Sequence, residues 1–339
     1  MSHGTPTPER LFSLAAAAPR LLAPVALAVI LIFFAILSPR FLTAENLLSV
    51  LNQNALLLLA AIAMTVVVRA GGIDLSIGVA IDIAALTVAS LLADGYVLWY
   101  ALLFGLLAGA SVGALNAFLI VILGIRPFLA TLSVWFIGAG VQQVATGGGS
   151  PIYLSGPRTP PGFAQIGAGS VLGIAIPVLI ALVVLGLVWV ILERSRWGRV
   201  LTAAGAQPTA TRIAGRLTRT AIISAYIFAA LIAAIAGIVL ASRSSGFVPA
   251  SGQLYVLDSI GAVFIGATLS RFGRPNLLGT LVGVLIFALL TNGMNLIGLS
   301  FHWQGLARGG ILLLILLLGV LLSRDYASGR ARRALPVAA

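Results

Sequence analysis

Of the 339 residues, 60% are hydrophobic and only 8% are charged, against about 25% charged in soluble domains, so the chain is an integral membrane protein. The net charge of +12 comes from arginines that lie between apolar runs, where they indicate membrane orientation rather than nucleic-acid binding. The chain has no cysteine and no lysine. Disulfides, thiolate metal sites and a phosphate-binding loop of the GxxxxGK[ST] type are therefore excluded.

The apolar runs predict an all-α, polytopic membrane protein, because a helix that crosses a bilayer needs about 20 mostly apolar residues. The first run follows Arg10 and Arg20 and is predicted to be a retained span rather than a signal peptide. A transmembrane domain is expected at 21–323, between cytoplasmic tails at 1–20 and 324–339. The ten predicted spans are 21–38, 47–69, 74–93, 96–123, 127–146, 170–192, 220–241, 254–270, 276–297 and 305–323.

The arginines predict which way the spans face. With the N-terminus inside, sixteen of the twenty fall on the cytoplasmic side, and both termini are cytoplasmic. The long external segment 147–170 is rich in Gly, Pro and Ser, which predicts irregular chain with at most a short interfacial helix. It is interpreted as a docking surface or a solvated connector. The arginines on or near the outer side are Arg40, Arg158, Arg243 and Arg308.

One long polar segment, Arg194–Arg219, interrupts the apolar runs and contains six arginines. Pro208 can begin a short helix and Gly215 can end it. Such a helix places Ala210 and Ile213 on one small apolar face, which fits a groove of a soluble partner. The arginines would then meet acidic groups of that partner or lipid phosphates. An ordinary cytoplasmic loop is the alternative.

The most distinctive local motif is GGIDLSIG at 71–78. Asp74 stands where the third span begins, so its carboxylate can accept hydrogen bonds from free backbone N–H groups and meet the positive end of the helix dipole. A cap and turn is the preferred interpretation, with direct solute contact as the alternative. Asp258 lies in a similar LDSIG sequence where the eighth span begins. Two halves of five spans would form inverted repeats, which is a hypothesis at this stage.

Other polar residues lie deep in apolar runs. Asp82 follows Asp74 by two helical turns, and an ionisable residue at this depth faces protein or water, so it either lines a path or has an internal partner. Neutral amides suit a sugar route, although helix–helix hydrogen bonding is the preferred explanation for each of these residues taken singly. The candidate path residues are Asp82, Gln142, Gln143, Asn292 and Asn295.

Enzyme motifs are missing from the sequence. Histidine occurs only at His3 and His302, and neither HExxH nor GxSxG is present. No catalytic, cofactor-binding or metal-binding residues are therefore predicted. If ATP drives this protein, another chain must bind it.

The chain resembles the permease subunits of bacterial ABC sugar importers, the group that includes the ribose, xylose and galactofuranose transporters. The resemblance covers about residues 20 to 325. Its most specific element is GGIDLSIG, close to the family's GGIDLSVG, with Gly71, Gly72, Asp74, Ser76, Gly78 and, further on, Asp258 as the motif residues. Further matches are PFLATL at 127–132, GRVLTAAGAQPTATRIAG at 198–215, and NGMNLIG followed by SFHWQGLARGGILLL from Asn292 to Leu314.

The resemblance implies the ten-helix importer fold and a homo- or heterodimer of permeases in the bacterial inner membrane. It also implies two ATP-binding cassette subunits and a periplasmic sugar-binding protein as partners. In that family the segment matching 198–215 contacts the ATPase, so residues 193–219 are expected to form a cytoplasmic coupling loop. The coupling residues carried over are Arg199, Gly205, Pro208, Ala210, Arg212 and Gly215.

The sequence departs from the family pattern in three places. GATLSRFGRPN at 266–276 replaces the usual GGxSLxGGxG, Gln207-Pro208 replaces an asparagine, and Asp82 stands where a small or apolar residue is common. These differences do not change the predicted class of protein, but they leave the identity of the transported solute undetermined. The sequence is interpreted as that of a permease that imports a monosaccharide or similar polar solute, without covalent chemistry. The alternatives are an ion-coupled secondary transporter that uses Asp82, and an ABC importer of a nucleoside or furanosyl signal molecule.

Overall fold

The computed structural model describes residues 8–156, 159–215, 217–270 and 273–334, with side chains described between residues 20 and 321 of these ranges. Arg158, Arg216, Arg271 and Phe272 lie outside the described residues. So do the ends of both predicted tails, 1–7 and 335–339. The α-helices in the described ranges are α1 Pro8–Leu37, α2 Ala44–Arg69, α3 Ile77–Ala93, α4 Leu98–Ala117, α5 Pro127–Ala145, α6 Pro161–Ala168, α7 Ile176–Arg194, α8 Arg196–Ala206, α9 Pro208–Ile213, α10 Thr218–Arg243, α11 Val256–Ala267, α12 Leu277–Leu296 and α13 Phe301–Ala334.

The remaining regular elements are short. A π-helical turn, Phe118–Ile122, extends α4, and a 3-10 turn, Gly252–Tyr255, leads directly into α11. Four two-residue strands form two antiparallel pairs, β1 with β4 and β2 with β3. Their bounds are β1 Ile152–Tyr153, β2 Ser170–Val171, β3 Ile174–Ala175 and β4 Gly246–Phe247.

Each of the ten predicted spans corresponds to an apolar helix, and the all-α polytopic fold class is confirmed. Within the described ranges, eight helices are long and apolar enough to cross a membrane. The other two, α3 and the continuous element Gly252–Ala267, are shorter. They correspond to the third and eighth predicted spans. The seventeen residues of α3 rise about 26 Å, less than the roughly 30 Å of a hydrocarbon core.

The chain forms two compact units, of which the larger is Leu47–Ile260. Its core is the mutual packing of α3, α4 and α10, where small residues let the helices approach closely. A Cβ at Gly109 of α4 would lie 2.5 Å from the Ala234 Cβ of α10. A Cβ at Gly237 of α10 would overlap the carbonyl oxygen of Ile81 in α3. These two contacts require glycine because the backbones themselves touch.

The smaller unit is Met1–Asn46 together with Gly261–Ala339. In its described part, α1 packs along α12 and α13, and the Phe34 ring covers Gly293 of α12. Gly266 and Gly279 meet backbone to backbone, so a Cβ on either would overlap the other. Gly266 begins the atypical 266–276 segment and Gly279 lies three residues beyond it, so this contact supplies a physical reason for glycine at both positions.

The structure also differs from the predicted boundaries. The sixth predicted span, 170–192, becomes helical only at Ile176, because residues 170–175 form the β2–β3 hairpin. The external segment contains α6, whose Phe163 side chain is fully buried against the end of α10. Helices α1 and α13 extend beyond the predicted spans. The polar segment contains α8 in addition to the predicted helix at Pro208.

Candidate functional site

Asp74 lies in the turn between α2 and α3 and is only 2% exposed. Its Oδ1 accepts hydrogen bonds from the backbone N–H of Ser76, at 2.8 Å, and from the Ser76 hydroxyl, at 2.6 Å. The Asn116 amide of α4 donates to the same hydroxyl oxygen at 2.6 Å. The carboxylate is expected to accept hydrogen bonds from the first turn of α3. It accepts them instead from Ser76, the residue just before that helix. Asp74 organises the turn from which α3 begins.

The glycines of this motif allow neighbouring helices to pack against the turn. A Cβ at Gly72 would overlap the Tyr226 hydroxyl of α10, a buried group without a hydrogen-bond partner. The Thr131 hydroxyl of α5 donates to the carbonyl oxygen of Ile73 at 3.2 Å. The turn is therefore held between α5 and α10.

Asp82 lies on α3 and is completely buried. Its Oδ1 accepts a hydrogen bond from the backbone N–H of Gly252, at 2.6 Å. Gln142 of α5 accepts from the backbone N–H of Ala250, at 2.9 Å. The two side chains together hold the turn that precedes the 3-10 element, and this turn includes Ala250 at φ +64°. Asp82 therefore has an internal hydrogen-bond partner, and a place on the transport path stays a prediction.

Gly78 brings the start of α3 against the same turn. A Cβ at Gly78 would lie 2.9 Å from the Gln253 Cα and 3.0 Å from the Gly252 carbonyl oxygen. The two short apolar elements, α3 and Gly252–Ala267, therefore meet at Gly78 and Gly252. In transporters, a corresponding pair of short helices is the best sequence-level pointer to the binding site.

The polar segment folds into α8 and α9, with Ser195 capping α8 by accepting from the Gly198 N–H at 3.0 Å. Ala210 and Ile213, the predicted apolar face of α9, are exposed, and Ile213 is 81% exposed. Thr211 faces inward instead. The positions Arg199, Pro208, Arg212 and Gly215 are also exposed, and Gly215 adopts φ +71° just beyond the end of α9.

A set of contacts fixes α8 to the end of α2. We call the residues that make these contacts the α2–α8 junction; they are Arg69, Gly71, Glu193, Thr202 and Gly205. The Arg69 Nε donates to the Thr202 hydroxyl at 2.7 Å, and its Nη1 forms an ion pair with Glu193. A Cβ at Gly205 would overlap the carbonyl oxygen of Arg69, and a Cβ at Gly71 would lie 3.2 Å from the Gly205 Cα. Gly71 itself adopts φ +88°. The predicted coupling residue Gly205 thus touches the first residue of the GGIDLSIG motif.

The other predicted path residues are dispersed. Asn292 exchanges two amide hydrogen bonds with Asn46, at 2.9 and 3.0 Å. Asn295 accepts from the Gln304 amide at 2.6 Å, and Gln143 is exposed. Within the larger unit, Asp82 and Gln142 hold the same turn, whereas Asn292 and Asn295 have amide partners of their own within the smaller unit.

Asp258 lies in the first turn of α11 and is half-buried. The neighbouring Ser259 hydroxyl is buried and donates to the carbonyl oxygen of Val256 at 2.7 Å. Across the described ranges, no three His, Cys, Asp or Glu side chains cluster as metal ligands would. The inverted-repeat relation between the Asp74 and Asp258 sequences stays a prediction.

A family model described as "Branched-chain amino acid transport system / permease component" matches residues 46–316. The match includes the turn at Asp74, the α2–α8 junction and the polar segment. The chain belongs to this permease family. It is a multi-pass transport component rather than an enzyme.

The permease is also similar to individual proteins over most of its length. It is 37% identical over 291 residues to the ribose import permease protein RbsC of Bacillus subtilis, covering 86% of this chain and 89% of that protein. It is 34% identical over 322 residues to the galactofuranose transporter permease protein YtfT of Escherichia coli, covering 92% of each. The D-allose transport system permease protein AlsC of Escherichia coli is 28% identical, with 88% of this chain and 90% of that protein covered. No solved structure matches the permease significantly.

Two arginines of the permease have contacts that the sequence interpretation missed. Arg69 and Arg243 were placed only by counting charges on each side of the membrane. Arg69 belongs to the α2–α8 junction, and Arg243 donates to Asn52 of α2 across 191 residues of chain. The sequence shows that each arginine ends a long apolar helix. That position does not reveal the contacts, because an arginine that only anchors a helix at the membrane surface occupies the same position.

Proposed function

We propose that this permease is the membrane-spanning subunit of an ATP-driven ABC importer that moves a monosaccharide across the bacterial inner membrane. The observation that carries the proposal is the similarity to permeases named for ribose, galactofuranose and allose over 86–92% of this chain. The family description names branched-chain amino acids, but the individual proteins named here carry sugar names. ATP hydrolysis belongs to a partner chain, because this one lacks lysine and hence a phosphate-binding loop.

The proposed assembly has two permease chains, either identical or homologous, two ATP-binding subunits and a periplasmic sugar-binding protein. Residues 21–323 form the transmembrane domain, and 193–219 form the coupling loop on the cytoplasmic side. Both tails, 1–20 and 324–339, are cytoplasmic. The sixteen-to-four distribution of arginines supports this orientation.

The exposed face of α9 is the proposed contact for the ATPase. Ile213 is 81% exposed and Ala210, three residues earlier, is also exposed, so the two form a small apolar face on α9. Arg212 of α9 and Arg199 of α8 are exposed as well and carry positive charge. Pro208 and Gly215 define where the helix begins and ends. A helix that lies in a groove of a soluble partner has these features.

The α2–α8 junction is the proposed route by which movement of the ATPase reaches the membrane. Backbone contact between Gly205 and Gly71 leaves no side chain that could absorb a displacement. Arg69 adds a hydrogen bond to Thr202 and an ion pair to Glu193. A shift of α8 would therefore move the turn before α3. The energy for transport enters as a difference in partner affinity between two conformations.

The ion-coupled alternative assigns Asp82 to proton or sodium binding. The hydrogen bond from Gly252 and the complete burial of Asp82 support a structural role instead. Gln142 serves the same turn. Gln143, Asn292 and Asn295 stay candidate path residues.

The proposal is tested by purifying the tagged permease from native membranes in mild detergent and measuring vanadate-sensitive ATP hydrolysis in the eluate. Ala210→Glu places a carboxylate on the exposed face of α9 and is expected to lower the co-purified ATPase activity by about tenfold, equivalent to about 1.4 kcal/mol of lost binding at subsaturating partner. The melting temperature should be unchanged, because Ala210 is exposed.

Thr209→Glu is the matched control, since it adds the same charge to the same helix about 100° away. It should retain most of the activity. A well-folded wild-type permease that elutes alone, without ATPase activity in several detergents, would contradict the importer assignment.

A further inference from the structure

Arg243 is a cation at the end of an apolar helix that no acidic group neutralises. It is the last residue of α10 and is half-buried. Among the described residues, no carboxylate forms an ion pair with its guanidinium. An arginine at the end of a membrane span reaches the interface, where its guanidinium can meet water, lipid or a solute.

The guanidinium is held in one place. Its Nη2 donates to the carbonyl oxygen of Asn52, at 2.8 Å, and to the Asn52 side-chain oxygen, at 2.7 Å. The backbone is fixed as well, because Gly167 of α6 packs directly on the Arg243 nitrogen and leaves no room for a Cβ. These hydrogen bonds use Nη2 alone and leave Nε and Nη1 for another acceptor.

The surface around this cation is polar although it belongs to apolar helices. Ser49 and Gln53 lie on the same half of α2 as Asn52, are exposed, and are linked by a 2.9 Å hydrogen bond. Tyr255, at the end of the 3-10 turn, is half-buried. Polar groups exposed on a membrane helix face water or protein rather than lipid.

The location is adjacent to the place where the two short apolar elements meet. Tyr255 ends the turn that Asp82 holds through Gly252, and Gly78 packs on the same turn. A meeting point of interrupted spans is where transporters bind their solute. In the proposed orientation, the Asn52 end of α2 and the Arg243 end of α10 are both on the outer side.

We propose that Arg243, positioned by Asn52, contacts the transported solute near the outer end of the path and donates from Nε or Nη1 to a hydroxyl oxygen of a sugar. Asn52 occupies Nη2 and leaves these charged donors for the solute, and the rigid placement of the guanidinium limits the entropy lost on binding. The inference rests on the proposed sugar import and deepens it by naming a solute contact.

The test uses the complete importer, reconstituted in liposomes with its ATPase and binding protein. Uptake is measured for D-ribose, D-allose and D-galactose, each against its 2-deoxy form, and for D-ribonate. The readout is the ratio of kcat/KM values for the hydroxylated and deoxy sugars within each permease variant. Differences in active fraction cancel in this ratio, and the preference of the shared binding protein cancels when the ratios of two variants are compared.

Arg243→Gln is expected to reduce this ratio by at least about threefold, because a hydrogen bond to a charged donor is lost for the hydroxylated sugar only. Arg243→Lys should give an intermediate ratio. Arg40→Gln, an exposed arginine on the same proposed side, is the control and should leave the ratio at the wild-type value.

The possible results separate the two proposals. A ratio that Arg243→Gln leaves unchanged, in a wild-type complex that imports sugar, overturns the Arg243 inference alone. A wild-type complex that imports none of the sugars and no ribonate overturns the proposed function, and the inference with it. A preference for D-ribonate that is lost in Arg243→Gln supports the contact and identifies a carboxylate oxygen as the acceptor.

Discussion

Asp74 and Asp82 are eight residues apart, and both are buried, but they stabilise different kinds of structure. Asp74 accepts its two short hydrogen bonds from Ser76, two residues away, and only a long one, at 3.5 Å, from the Asn116 amide of α4. Asp82 accepts its bond from Gly252, at a separation of 170 residues. One carboxylate therefore shapes a local turn, and the other joins two distant parts of the chain.

The difference explains why one aspartate could be interpreted from sequence and the other could not. A carboxylate beside Gly, Ser and a new apolar run finds backbone N–H groups within its own turn. A carboxylate in the middle of an apolar helix requires a partner that local pattern does not specify. The same distinction predicts how each residue responds to substitution.

The largest effect is expected for Asp74→Ala. It removes the acceptor of two hydrogen bonds and leaves the buried Ser76 N–H unpaired, which should lower the free energy of unfolding by about 3 kcal/mol. Equilibrium unfolding in mixed detergent micelles measures the change. Asp94→Ala is the control, because Asp94 is an exposed aspartate just beyond α3 and should change stability by less than about 0.5 kcal/mol. Equal effects for the two variants would show that the turn does not depend on Asp74.

A smaller effect, about 2 kcal/mol, is expected for Asp82→Leu, because one buried N–H, that of Gly252, loses its acceptor. Gln142→Leu should destabilise the same turn through Ala250. Since both side chains hold one turn, the double variant should be less destabilised than the sum of the singles by about 1 kcal/mol. Strict additivity would mean that the two hydrogen bonds act on independent structures.

The smallest effect is expected for Asp82→Asn. The remaining side-chain oxygen can still accept from Gly252, so the loss of stability should be below about 1 kcal/mol and sugar uptake should persist. Uptake into vesicles, with and without a proton gradient at constant ATP, measures this. Abolished uptake in a folded Asp82→Asn variant would instead favour the ion-coupled alternative.

Sequence was sufficient for features that depend on local pattern. All ten apolar helices and the short helix at Pro208 follow from run length, proline position and glycine position. Boundaries failed where a polar turn formed inside an apolar run. Helix α3 begins at Ile77 rather than 74 because Asp74 and Ser76 bond to each other, and the sixth span begins late because of the β2–β3 hairpin.

Contacts between distant residues were beyond local pattern. The β1–β4 pair has strands of only two residues, too short for any alternation to be visible. Asn292 was singled out as a polar residue at membrane depth, but nothing in the sequence identifies Asn46 as its partner. Arg243 and Asn52 raise the same difficulty. In each case the sequence shows that the residue type is unusual for its position, but its partner is known only from the folded structure.

The backbone contact at Gly71 and Gly205 has a consequence for how this permease family can evolve. Most neighbouring residues change together, because a larger side chain on one can be matched by a smaller one on the other. Here neither residue has a side chain to reduce, and a Cβ at 205 would overlap Arg69 whatever occupied position 71. Related sequences should therefore keep glycine at 205 without correlated change at 71, so that pairwise covariation would miss one of the tightest contacts in the protein.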